Sequence, residues 1–163
     1  MFLTEARFRR ARTRSDIEFV RAAQAQTAAL SYGRRLVANE GNALFARTES
    51  ALQDPNSCLM VAESAAQPVG YCWVEIRPGK VAYVLDLYVH PRMRRQGLGH
   101  GLLKRVFRLA RILGMREVRL TVSAKNRVAR AFYQAAGFES VAEEVSGRGI
   151  WFELLRPTAL SQE

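Results

Sequence analysis

The sequence predicts an α/β fold: a mixed, twisted sheet of six or seven strands flanked by about four helices, in the order β-α-α-β-β-β-α-β-α-β-β. Three observations carry this. Apolar runs of strand length, "CLMVAES", "PVGYCWVEIRP" and "VAYVLDLYV", crowd the middle of the chain, the first two joined by the short loop "SAAQP". The second half alternates helical with strand periods. No repeat, low-complexity tract or long linker divides the 163 residues, so residues 1–163 read as a single domain.

Taken in order, "EARFRRA" alternates and reads as a first strand. In "TRSDIEFVRAAQAQTAAL", Ser15 and Glu18 stand at capping-box spacing, and Ile17, Phe19, Val20 and Ala23 begin an apolar helix face. A less regular helical stretch runs from about Arg35 to Leu52. After the hairpin, "PGK" turns the chain into Val81–Val89. From Gly97 to Leu113, Leu98, Leu102, Leu103, Val106, Phe107, Leu109, Ala110 and Leu113 form one helix face, with Lys104, Arg105, Arg108 and Arg111 mostly opposite. Gly114 stops it where a left-handed residue is favoured. The strand "EVRLTV", a helix over 126–136, and strands near "FESVAEEV" and "GIWFELL" complete the chain.

Hydrophobic content of 48% and charged content of 25% are those of a soluble globular protein. No apolar run approaches the roughly 20 residues of a membrane span. The N-terminus lacks a signal-like apolar core, and a cytoplasmic protein is expected. Cys58 and Cys72 sit in apolar runs as buried thiols, and with no histidine nearby no metal site is expected. The net charge of +10 invites nucleic acid, but the arginines are spread along the chain without a basic tail or an arginine/aromatic repeat. An acidic small ligand or partner surface fits that charge equally well.

The most informative stretch is "HPRMRRQGLGHGLL", His90 to Leu103. A strand, a glycine-containing turn and a helix start present several unpaired N–H groups in one direction, where the helix dipole adds about half a positive charge. Glycines permit positive φ and close approach, and Arg94 and Arg95 add charge. This suits a pyrophosphate; a basic surface turn is the plainer reading. Neither a Gly-Lys-Ser/Thr ending nor G-x-G-x-x-G is present, which excludes the common nucleotide loops.

Arg94-Arg95-Gln96-Gly97-Leu98-Gly99 resembles the R/Q-x-x-G-x-G/A signature of the Gcn5-related N-acetyltransferase (GNAT) family. It follows "LDLYVHP", which looks like that family's fourth strand. "NRVARAFYQAAGF", Asn126 to Phe138, is similar to the second signature, N-x-x-A-x-x-F/L-Y-x-x-x-G-F. The likeness is close over about Val81–Phe138 and rests on element order upstream.

The resemblance implies an acetyl-CoA-dependent transfer of an acetyl group to a primary amine of unknown identity. It places the pantetheine arm between splayed fourth and fifth strands, on backbone groups around Leu87, Tyr88 and Val89, with an N–H near Val89 polarising the thioester. The pyrophosphate would lie on the amides of Arg95, Gln96, Gly97, Leu98, Gly99 and His100. Asn126 reads both as a helix cap and, by the resemblance, as a contact to that arm. Tyr133 reads as a core aromatic beside Phe132 or, by the resemblance, as proton donor to the departing thiolate.

The general base stays open. Some relatives carry a glutamate five residues before the asparagine, where this chain has Thr121. Asp86 matches an acidic position of small-amine acetyltransferases, but strand bulges hide which face it occupies. Asp86 or Glu75 through a water, or no dedicated base, are all readings. Neither His90 nor His100 has a metal- or triad-like partner. Tyr32, Tyr71 and Trp73 border the acceptor side by analogy, and a homodimer is implied by the same analogy. A non-catalytic acyl-CoA-binding regulatory module is the alternative function.

Overall fold

Side-chain alternation in the central strands sets the architecture. In the computed structural model, which describes residues 6–32, 38–147 and 149–159, the elements are β1 (Arg7–Arg10), α1 (Arg14–Tyr32), α2 (Ala38–Ala51), β2 (Ser57–Ser64), β3 (Gln67–Arg77), β4 (Val81–Val89), a 3-10 turn (Pro91–Met93), α3 (Leu98–Ile112), β5 (Glu117–Ser123), α4 (Arg127–Ala135), β6 (Glu139–Ser146) and β7 (Gly149–Pro157). They form a seven-stranded sheet ordered β1-β2-β3-β4-β5-β7-β6. Every pairing is antiparallel except β4 with β5.

Alternate residues of each strand feed two cores. Met60, Ala62, Cys72, Val74, Ala82 and Val84 pack with α3 and α4 on one face. Leu59, Val61, Tyr71 and Trp73 pack with Val20 and Ala23 of α1 and Ala51 of α2 on the other. Cys58 and Cys72 are free thiols within these layers. The β2–β3 turn is tighter than "SAAQP" suggests: Ser64 pairs with Gln67, and Ala65 and Ala66 take positive φ of 49° and 60°, the two-residue turn whose twist suits a hairpin.

The face of β4 changes partway along. Trp73 pairs with Asp86 but Val74 with Val84, so Leu85 is an extra residue. Before this bulge Ala82 and Val84 face α3; after it Leu87 and Val89 do. Asp86 is thereby turned to the α1/α2 side, the assignment that parity alone could not make.

Two sequence expectations are corrected. The α1 capping box is Thr13 with Asp16, two residues earlier than Ser15 with Glu18. Thr13 Oγ1 accepts the Asp16 N–H at 3.2 Å, and the Asp16 carboxylate accepts those of Arg12 and Thr13 at 2.8 and 3.0 Å. A tertiary ion pair decides this: Asp16, fully buried, takes a two-pronged contact from Arg9 of β1 at 2.8 and 2.9 Å, while Arg9 also reaches Glu63 at 2.7 Å. Glu18 instead makes an exposed pair with Arg14. Leu113, placed on the α3 core face by spacing, lies past the helix end and is 47% exposed. The start expected for α2 near Arg35 lies outside the described residues.

Burial raises the Asp16 carboxyl, but the Arg9 guanidinium and two backbone N–H groups outweigh it and hold the group at about 2. Its contribution is therefore complete above the unfolded value near 4 and is lost as pH falls toward 2. Asp16→Ala should destabilise the fold by about 3 kcal/mol, as for other broken buried pairs. Urea midpoints at pH 7 and pH 3 check this: the gap between wild type and variant should narrow at the lower pH.

Candidate active site

β4 and β5 hold together only at their beginnings, from Val81↔Glu117 to Val84↔Leu120. Beyond that, β4 has no strand partner on its β5 side among the described residues, and a gap opens. His90 N–H donates to Val69 C=O at 2.8 Å, which fixes the ladder phase against β3. Val89 and Leu87 consequently turn their backbone groups toward the gap, and Tyr88 turns its own toward β3. Tyr88 departs from the expectation in a second way, since its ring is buried and its hydroxyl donates to Gln26 Oε1 at 2.8 Å. The Val89 carbonyl accepts from Arg94 Nε at 2.9 Å.

The chain leaves β4 through the turn at Pro91–Met93, capped by the His90 side chain accepting from the Arg92 N–H. This is a structural role for His90. Arg95 and Gly97 then take positive φ of 59° and 82°. The first α-helical bond is Gly101 N–H to Gly97 C=O at 2.9 Å. The amides of Arg95, Gln96, Gly97, Leu98, Gly99 and His100 have no hydrogen-bond acceptor among the described residues. They form a row of donors at the N-terminus of α3. Arg94, Arg95, Gln96 and His100 are exposed, and Leu98 is buried beneath them.

The glycines have more than one cause. Gly97 provides the left-handed backbone. A Cβ at Gly99 would come within 3.0 Å of the Phe132 ring, and one at Gly101 within 2.5 Å of Phe8. These two are empty at Cβ for packing of this chain's own rings, rather than solely to admit a ligand. His100 lies against Phe132, centroids 5.1 Å apart.

Behind the gap is a cavity of about 300 Å³. Asn126, Tyr133, Leu87 and Asp86 all line it. Asn126 caps α4, its Oδ1 accepting from the Ala129 N–H at 3.1 Å, and it also lies on the cavity wall. Tyr133 is 7% exposed, packed edge-on against Phe132 and Phe138. Its hydroxyl makes no hydrogen bond among the described residues, and no buried side-chain polar atom there is left unpartnered. The hydroxyl therefore opens onto the cavity. Burial, with the Cys72 and Asp86 charges, pushes the phenol well above its ordinary range.

Asp86 is held by the Tyr71 hydroxyl, which donates to Oδ2. Burial raises the carboxyl to about 6, against the lowering effect of Tyr71 and of the Leu87 N–H. Tyr71 itself is fully buried, and burial with the Asp86 charge raises its phenol. Glu75 is not among the residues lining the cavity and is ion-paired with Arg77 at 3.1 Å and Arg47 at 3.5 Å. Thr121 lines the cavity and hydrogen-bonds Tyr83. Trp73, 3% exposed, lines it too and is anchored by Nε1 donating to Ser57 Oγ at 2.7 Å. The Tyr32 side chain lies outside the described residues. Sequence reading did not find Gln24, Arg47 or Trp151 on the cavity wall. They come from α1, α2 and β7, and no motif links those elements. Among the described residues, no cluster of His, Cys, Asp or Glu could hold a metal, and no helix is long and apolar enough to cross a membrane.

A sheet splayed at its fourth and fifth strands, with a donor row at the following helix, matches one family. Residues 22–138 fit the model of the acetyltransferase (GNAT) family, and the chain belongs to it. Over 103 residues it is 36% identical to N-acetyltransferase family 8 member 3 of Mus musculus, covering 59% of this chain and 45% of that protein. Over 96 residues it is 31% identical to aminoglycoside N(6')-acetyltransferase type 1 of Klebsiella aerogenes, covering 55% of this chain and 63% of that one. The chain thus spans about half the length of the curated relatives it matches. The PaiA N-acetyltransferase of Thermoplasma acidophilum, solved in complex with coenzyme A, shares the fold with a TM-score of 0.72 at 18% identity, over 91% of this chain and 98% of that one.

Proposed function

We propose that residues 1–163 act as one cytoplasmic N-acetyltransferase domain that moves an acetyl group from acetyl-CoA to a primary amine by direct attack in a ternary complex. One observation carries the reading: the unpaired stretch of β4 opens at Leu87 onto a cavity holding Asp86 and Tyr133, and the same strand runs on through a short turn into the donor row of α3. The residues present fit the cosubstrate. Backbone N–H groups of Arg95 to His100 suit a pyrophosphate, and Leu87 and Val89 offer an extended edge to a pantetheine arm. Bound acetyl-CoA supplies the thioester carbon that the amine attacks.

This chain's residues do the rest. Asp86 accepts the proton an ammonium acceptor must lose. An N–H near Val89 polarises the thioester carbonyl; one such donor is worth about 3 kcal/mol. Tyr133 presents a proton at its hydroxyl to the developing thiolate. Asn126 positions the arm while capping α4.

Isothermal titration calorimetry with acetyl-CoA and free CoA tests the reading, on wild type and on Gly97→Val. A β-branched residue cannot hold φ of +82°, and nothing lies within 4 Å of the added Cβ, so the substitution acts on the loop backbone alone. Micromolar binding that weakens at least tenfold in the variant is the expected result. Folded wild type that binds neither molecule sinks the proposal.

A further inference from the structure

We infer that the acceptor is an amine that also bears a carboxylate, and that Arg47 selects it. The inference rests on the transferase reading and deepens it.

Among the described residues lining the cavity, the charged ones are Asp86 and Arg47. Arg47 approaches from α2 over the Trp73 ring, 5.4 Å from its centroid, and Trp73 is pinned beneath it by its bond to Ser57. Trp73 is also the direct cross-strand partner of Asp86. A cation over Trp73 and a base at Asp86 therefore stand on the wall of the same cavity.

Glu75 leaves the Arg47 charge largely unspent. It lies 3.5 Å from Arg47, longer than a charge-assisted hydrogen bond, while Arg77 bonds it at 3.1 and 3.3 Å and lies over the Tyr83 ring at 3.6 Å. Two arginines share one glutamate, and the surplus positive charge falls at the cavity end. Arg47 is also 56% exposed, so an incoming carboxylate can reach it with little rearrangement. A polyamine or other multiply cationic acceptor would meet repulsion at this place.

The test is calorimetry on the CoA-saturated protein with N-acetyl-L-tryptophan, N-acetyl-L-methionine and N-acetyl-L-glutamine, each beside its carboxamide counterpart. The carboxylates should bind at least tenfold more tightly. Arg47→Ala should abolish the preference, and Arg47→Lys should keep part of it, since a point charge replaces a fork. Equal binding of acid and amide, a preference that survives Arg47→Ala, or no binding by any of them while acetyl-CoA still binds would each overturn the inference and leave the transferase reading standing. Failure of acetyl-CoA itself to bind removes both, and is read from the first titration.

Discussion

Tyr133→Phe should lower kcat by about a hundredfold or more, within the range of a lost proton donor, while the Kd for acetyl-CoA changes less than twofold. The expectation follows from where the oxygen sits. Tyr133 is the buried residue of α4, and its ring is fixed by Phe132 and Phe138 at 5.2 and 5.6 Å. Phenylalanine keeps that packing, so the thermal midpoint should hardly move. What is lost is one hydroxyl that faces the cavity. Because the phenol is raised, it stays protonated throughout the working pH range and contributes no basic limb to the rate profile. Single-turnover thiol release, set beside calorimetry on the same preparations, separates the chemical step from binding. A variant with unchanged kcat would return Tyr133 to the role of a core aromatic.

The two signatures were legible for a physical reason. Each lies on one continuous segment, the β4–α3 junction and α4, where local geometry alone decides what the backbone presents. Asn126 could be read as a cap because capping needs only its own helix. Asp86 could not be placed, because the extra residue Leu85 reverses the strand's parity and the single-strand pattern carries no mark of it. Ser15 and Glu18 had the right spacing for a cap and lost to Thr13 and Asp16, because Asp16 answers to Arg9 on another element. Gly99 looked like room for a ligand, yet its close neighbour is Phe132, far off in sequence. The acceptor side was the least legible of all. Gln24, Arg47 and Trp151 converge only through tertiary packing, and each is an ordinary residue on its own element.

Asp86→Asn should lower kcat by about a hundredfold or more, as expected for loss of a general base, and should remove an acidic limb from the rate profile. With the carboxyl at about 6, wild-type activity should rise with pH and lose that dependence above about 7, a unit past the midpoint, leaving only the ionisation of the acceptor amine. Tyr71→Phe separates a base from a merely structural acid. The Tyr71 hydroxyl bond lowers the Asp86 carboxyl, so its removal should move the limb to higher pH without abolishing activity. Stability supplies an independent reading, because the carboxyl is raised on folding and the native state holds its proton longer than the unfolded chain. The Asp86 contribution to stability is therefore greatest below about 4 and falls as pH climbs through about 6, by about 3 kcal/mol for a shift of roughly two units. Asparagine carries no such charge, so Asp86→Asn should be as stable as wild type or more so at pH 7.5 while far less active. A substitution that stabilises and inactivates together marks a group kept for its chemistry. If the variant instead melts earlier and retains its pH limb, Asp86 is a structural partner of Tyr71 and the base lies elsewhere.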